Sequence, residues 1–177
     1  MTGAIEYGKA LFLITEEDGK TKKVTRDVKI ARSVFAENPD YARLLDTPAL
    51  TKDERVGLVD KAFSGLDESL KNLIKIITEK HSAHNFVKIA DAYLALYDES
   101  RGILQVEAVT AVPLTSEQSA ALAKKVGALT GKTAILKNTV DPSILGGVKL
   151  RYGGTQLDGS VKTRLEKFEA ALRETVI

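Results

Sequence analysis

Three groups of residues in the chain are of types that could do chemistry. Gly127-Ala128-Leu129-Thr130-Gly131-Lys132-Thr133 ends in the Gly-Lys-Thr of a phosphate-binding loop. Such a loop leaves a strand and enters a helix, so that backbone N–H groups at the helix start face the phosphates. Here the spacing is one residue short, and a helical pattern precedes the glycines while a strand-like pattern follows them. The segment is therefore expected to be a helix C-cap, with Gly131 left-handed. His81 and His84, the only histidines, form the second group. Two imidazoles are too few for a catalytic zinc centre unless a carboxylate such as Glu79 joins them, and no metalloprotease pattern surrounds them. They are expected to be a solvated pair at a helix end. The third group, the acidic residues, is scattered through helical stretches beside Lys and Arg, as on solvated faces. With no paired carboxylates, no Gly-x-Ser-x-Gly elbow and no Gly-rich dinucleotide loop, the sequence offers no catalytic, cofactor-binding or metal-ligating candidates. The expectation is a protein that is not an enzyme and uses no cofactor.

Composition narrows the partners. Lys and Arg number 26 against 24 Asp and Glu, a formal charge of +2 without long like-charge runs. Neither a basic stripe nor aromatic interleaving points to nucleic acid. There is no cysteine, which removes disulfides and thiolate chemistry. No apolar run approaches the ~20 residues of a membrane helix. The opening Met1-Thr2-Gly3-Ala4-Ile5-Glu6 has neither a basic start before an apolar stretch nor an Arg-rich character, so no export or organelle signal is expected there.

The elements that would position any site follow from periodicity. Helical spacing fills the first hundred residues, beginning at about 5–17 and continuing with Val24, Val28, Ala31 and Phe35. Tyr41, Leu44 and Leu45 suggest a short helix between Pro39 and Pro48. Thr51 and Glu54 form a capping box ahead of Val56, Val59 and Phe63, with Ser64-Gly65 as the stop. Asp67 can cap a helix carrying Leu70, Leu73, Ile74, Ile76 and Ile77, and a sixth carries Phe86, Ile89, Ala90, Tyr93, Leu94 and Tyr97. At Ser100-Arg101-Gly102 the period falls from about 3.6 to 2. Residues 103–112 then read as a strand stopped by Pro113, and Thr115 with Gln118 as a second capping box ahead of Leu122, Val126 and Leu129. Strands are expected at 133–140 and 148–152, a Gly153-Gly154 hairpin leads to 155–157, and Val161, Leu165, Phe168 and Leu172 mark a closing helix. The fold class expected is α+β in two domains: a six-helix bundle over 1–102, and a small α/β domain with a mixed sheet and C-terminal helix over 103–177.

The first helix is apolar on two sides. At about 100° per residue, Tyr7, Ala10, Leu11 and Ile14 share one arc, and Ile5 and Phe12 lie roughly opposite. One side can pack in the bundle; the other needs a cover, supplied either by the rest of the domain or by a partner helix. The helix at 69–80 has a similarly broad apolar side, from Ile74 through Leu70, Ile77 and Leu73 to Ile76. Periodicity alone favours central burial of that side.

The residues also resemble a family. Tyr7-Gly8-Lys9-Ala10-Leu11-Phe12 is similar to the opening Tyr-Ala-x-Ala-Leu-Phe run of the ATP synthase delta subunit, the bacterial counterpart of the mitochondrial oligomycin-sensitivity-conferring protein. Asn72-Leu73-Ile74 resembles its fifth helix. Val140-Asp141-Pro142-Ser143-Ile144-Leu145-Gly146-Gly147-Val148, followed by Asp158-Gly159-Ser160-Val161-Lys162-Thr163-Arg164-Leu165, is the most specific match. That C-terminal motif reads as architecture, with the glycines allowing close approach and Asp158-Gly159-Ser160 supplying a turn and a cap. The chain departs from the family at Glu79-Lys80-His81-Ser82, where Glu-Asn-x-Arg is frequent, and at Gly154, where Asp is common. The resemblance implies a non-catalytic stator subunit of a proton-translocating F-type ATP synthase. It implies that the bundle binds the N-terminal helix of an alpha subunit on the catalytic head and that the α/β domain binds the peripheral-stalk b subunits. It further implies a monomer within a larger complex, held peripherally at the cytoplasmic face of a bacterial plasma membrane, with no nucleic acid partner and no membrane insertion. Under it the partner-binding residues are Tyr7, Ala10, Leu11, Ile14, Leu73, Ile76 and Ile77. A regulatory or nucleic-acid-binding adaptor on a helical bundle is the alternative.

Overall fold

The computed structural model describes the backbone of residues 2–175 and the side chains of residues 3–168. It is an α+β chain whose contacts divide it into two units between Tyr97 and Asp98. Leu172, expected on the apolar side of the closing helix, lies outside the described side chains.

The first unit contains α1 (Thr2–Glu17), α2 (Thr21–Glu37), α3 (Pro39–Asp46), α4 (Lys52–Ala62), α5 (Glu68–Glu79), a 3-10 turn (Ala83–Asn85) and the start of α6 (Phe86–Ser100). Local residues explain the starts of α3, α4 and α5. Pro39 takes the first position of α3, where its missing N–H is no loss. Both halves of the Thr51/Glu54 capping box form, and Asp67 accepts the Ser69 N–H at 3.1 Å. Helix α4 closes at Ala62, ahead of the expected Ser64-Gly65 stop, with Phe63 turning into the core. Val24, Val28, Leu45, Val59, Leu70, Ile74, Ile77, Phe86, Ile89 and Tyr93 are fully buried. Each large apolar side chain so placed contributes about 1.5–3 kcal/mol. Phe35 gathers Phe86, Tyr41 and Phe63 at ring-centroid distances of 4.5, 5.6 and 5.7 Å. The Tyr93 hydroxyl would be costly to bury alone, but it lies 3.2 Å from Thr15 Oγ1 and 3.4 Å from Thr25 Oγ1.

The second unit holds β1 (Ile103–Thr110), α7 (Ser116–Thr130), β2 (Thr133–Val140), β3 (Val148–Tyr152), β4 (Thr155–Asp158) and α8 (Val161–Thr175). The strand order is β2-β1-β3-β4. β1 runs parallel to β2 with Ile103 opposite Thr133, and antiparallel to β3 with Thr110 opposite Val148. A parallel pair needs a long crossover, and α7 supplies it. Gly131 ends α7 at φ 68°, its N–H donating to the Gly127 carbonyl at 2.9 Å. The Gly-Lys-Thr segment is thus the helix cap that its neighbours predicted. β1 stops two residues before the expected 112, because Thr110 Oγ1 turns back to donate to the Val112 carbonyl at 2.7 Å ahead of Pro113. Val106, Ala108, Val126 and Leu150 form the core of this unit. Beside it Gly147 adopts φ 85°, and a Cβ there would fall 2.5 Å from the Gly159 carbonyl oxygen. The chain entering α8 is pinned by this contact and by the Val161 N–H, which donates to the Gly146 carbonyl at 3.0 Å.

Candidate functional site

The structure brings α1 and α5 side by side. Lys80 Nζ, just past the end of α5, donates to the Tyr7 hydroxyl at 2.9 Å and lies 5.6 Å from the centre of the Tyr7 ring. By accepting this bond, the hydroxyl raises the Lys80 pKa above the ordinary lysine value, and the ammonium stays charged.

The seven residues proposed from the sequence divide between two environments. Leu11, Leu73 and Ile77 are buried in the core, at 4, 8 and 0% exposure. Their bulk is committed to the fold, so these three are the members of the set that serve the core. Ile14 and Ile76 are half exposed, at 50 and 46%. Ala10 is exposed and Tyr7 half-buried. These four lie on α1 and α5, the helices that the Tyr7–Lys80 bond joins.

The reason for the division lies in α1. Its inward arc contains Gly8, Leu11, Phe12 and Thr15, all buried. Phe12, expected opposite Leu11, meets Tyr93 edge-on at 5.9 Å, whereas Ile5 is exposed. Core direction therefore falls between the two apolar arcs and takes one member from each. Gly8 and Thr15 concealed this from hydropathy. Gly8 lets α6 approach so closely that a Cβ would lie 2.7 Å from the Ile89 carbonyl oxygen. Thr15 is satisfied by donating to the Phe12 carbonyl at 3.0 Å.

The histidines are more engaged than a solvated pair. The Asp46 carboxylate, at the end of α3, accepts from the Ala83 N–H at 2.7 Å, the His84 N–H at 3.1 Å and His84 Nδ1 at 2.5 Å. His81 Nδ1 donates to the Asp46 carbonyl at 2.9 Å, and His81 is the only described non-glycine residue with positive φ. Their role is to join the end of α3 to the 3-10 turn that starts α6. The signal available in sequence was Asp46 at a helix end, but its partners lie 37 and 38 positions away.

On the second unit the sequence proposed no stalk-contacting residue. There α8 exposes Val161, Leu165 and Phe168, the last at 63%, and Leu145 is also exposed. The i, i+4, i+7 spacing marked the closing helix in the sequence but did not say which way its apolar side faces. A recess of about 450 Å³ opens on the sheet over Gln105, Glu107, Lys137, Arg151 and Gln156. Glu107 is engaged there by Thr139 Oγ1 at 3.0 Å and by Arg151 at 3.7 Å. Among the described residues no group of three His, Asp or Glu side chains could hold a metal ion. No described helix is long and apolar enough to cross a membrane.

Comparison with known proteins agrees with a connector of this construction. The sequence profile described as "ATP synthase delta (OSCP) subunit" matches residues 4–172. The chain is 33% identical to the ATP synthase subunit delta of a Geobacillus species, over 96% of each protein. It is 35% identical to the subunit of the same name from Lactobacillus gasseri, over 97% of this chain and 94% of that one. In fold it is similar to a chain of the Toxoplasma gondii mitochondrial ATP synthase hexamer, with a TM-score of 0.77, 22% identity and 96% of each chain covered. With a profile match over most of its length and relatives above 30% identity from end to end, the chain belongs to the ATP synthase delta (OSCP) subunit family.

Proposed function

We propose that the chain ties the catalytic head of an F-type ATP synthase to its peripheral stalk through two grips. Members of this family are stator subunits, structural rather than catalytic. In our reading the six helices before the first strand act as one bundle, residues 1–102. This bundle holds the N-terminal helix of an alpha subunit, while residues 103–177 hold the ends of the b subunits. The chain is then a monomer within the complex, peripheral to the cytoplasmic face of a bacterial plasma membrane.

The observation that supports the head grip best is the pair Ile14 and Ile76. They are half exposed on neighbouring helices and are continued by Ala10 and Tyr7. Burying such a strip under an amphipathic helix removes apolar surface from water without disturbing the core. For the stalk grip the corresponding support is the exposed Val161, Leu165 and Phe168 stripe of α8.

The test is titration of the alpha-subunit N-terminal peptide against the full chain. Ile14→Asp and Ile76→Asp should each weaken binding by about 2–4 kcal/mol, because a carboxylate would have to be desolvated against apolar atoms. Both sites are solvent-facing, so the variants should keep the helical signal of the parent. Leu73→Asp is a poorer probe, since Leu73 belongs to the core. Folded Ile14→Asp and Ile76→Asp proteins with parental affinity would place the groove elsewhere.

A further inference from the structure

We propose that Lys80 and Lys88 form a basic clamp at one end of the α1–α5 strip, receiving an acidic side chain of the docked helix. This rests on the head-grip reading above and adds the chemistry that would select and align the partner. Tyr7 belongs to both regions. It borders the apolar strip, and with Gly3, Ser82, Asn85, Lys88 and Ile89 it lines a recess of about 210 Å³. Tyr7 thus links Lys80, which it binds, to Lys88, which lines the recess beside it.

Charge in this region is unbalanced. Among the described residues neither Lys80 nor Lys88 has a carboxylate within ion-pair distance, and the Asp46 carboxylate near the recess is taken up by His84 and the Ala83 N–H. The acids nearest in sequence are committed elsewhere. Glu79 pairs with Lys52 at 3.1 Å and Asp91 with Arg32 at 2.5 Å. Glu6 is one residue from Tyr7 and hence turned about 100° round α1. The Lys80 ammonium is meanwhile held in place by the Tyr7 hydroxyl rather than left free.

A fixed ammonium beside an apolar docking surface favours a helix whose apolar stripe ends in Asp or Glu, and disfavours one ending in Lys or Arg. Rim charges of this kind act through association rate and salt dependence more than through buried contact. The occupant we commit to is therefore an amphipathic helix with a carboxylate at one end of its stripe.

The experiment uses the full chain and the N-terminal peptide of the same synthase's alpha subunit, with affinity measured by calorimetry at low and high salt. Lys80→Glu with Lys88→Glu should weaken low-salt binding by about tenfold or more and abolish its decline with salt. A peptide with its acidic residues changed to amides should bind the parent chain weakly and be indifferent to Lys80→Glu, the coupling expected of a direct pair. If the charge reversals disturb folding, Lys80→Gln and Lys88→Gln make the same comparison with smaller effect. Parental affinity and salt slope in the folded variants would overturn the clamp and leave the groove standing. Failure of the parent chain to bind the peptide at all would overturn the head grip and the clamp with it.

Discussion

Gly8 decides how closely α1 and α6 pack. An added methyl at this position would fall 2.7 Å from the Ile89 carbonyl oxygen and 2.8 Å from Ala92 Cβ, both on the facing helix. Gly8→Ala gains about 1 kcal/mol of helix propensity, and the overpacking should cost about 1–3 kcal/mol. The net expectation is a lower melting temperature in thermal unfolding; a rise would mean that α6 yields. Residues with a local reason for their type were legible in the sequence. Gly131 follows a helical run, Thr51 stands three before Glu54, and Asp67 precedes an apolar helix; all three cap as expected. Gly8, Thr15 and Asp46 were not legible, because the atoms that give them meaning come from helices far along the chain. Of the seven proposed binding residues, Leu11, Leu73 and Ile77 show the same limit: periodicity identifies an apolar arc, and only packing says which part of it the core takes.

At the scale of elements, two carboxylates hold helix starts. Asp67 is drawn in opposite directions. Burial raises its pKa, but the Ser69 N–H and the nearby Lys23 ammonium outweigh this and leave it below the usual carboxylate value. Asp67→Ala removes the cap of α5 and the ion pair with Lys23, and should destabilise the chain by about 1–2 kcal/mol in denaturant unfolding. Asp158, ahead of α8, is held well below the usual range by its hydrogen bonds to Ser160 and, less strongly, by Lys149. Both folded-state values are depressed, so the stabilisation is complete above the unfolded carboxylate pKa of about 4 and is lost as pH falls through the lower folded values. Melting temperature should therefore drop on acidification below about pH 4. In Asp158→Asn, which keeps an oxygen for the Ser160 N–H but cannot titrate, that drop should be shallower. An equally steep drop would assign the acid sensitivity to other groups. Element order was readable from the change of period at Ser100-Arg101-Gly102. The ends of α4 and β1 were not, since Phe63 and Thr110 are fixed by tertiary burial and a side-chain turn.

At the scale of the whole molecule, the division between Tyr97 and Asp98 separates a large apolar core from a small one. The fragment 1–102 should accordingly fold as a helical protein, retain the alpha-subunit peptide and lose the b subunits. Circular dichroism and affinities of both partners for fragment and full chain check this; a folded fragment that binds the stalk as well as the full chain does would end the division of labour. On the proposed function, one subunit holding both partners would make the second attachment intramolecular and raise avidity without new contacts. The Phe12–Tyr93 and Thr15–Tyr93 contacts also bear on biosynthesis. The second joins positions 78 residues apart. At about 5–20 residues per second, the ribosome delivers α6 roughly 4–16 s after α1. During that interval Phe12 and Thr15 lack the Tyr93 side chain that they meet in the fold, so the inward side of α1 is completed only once α6 has been made.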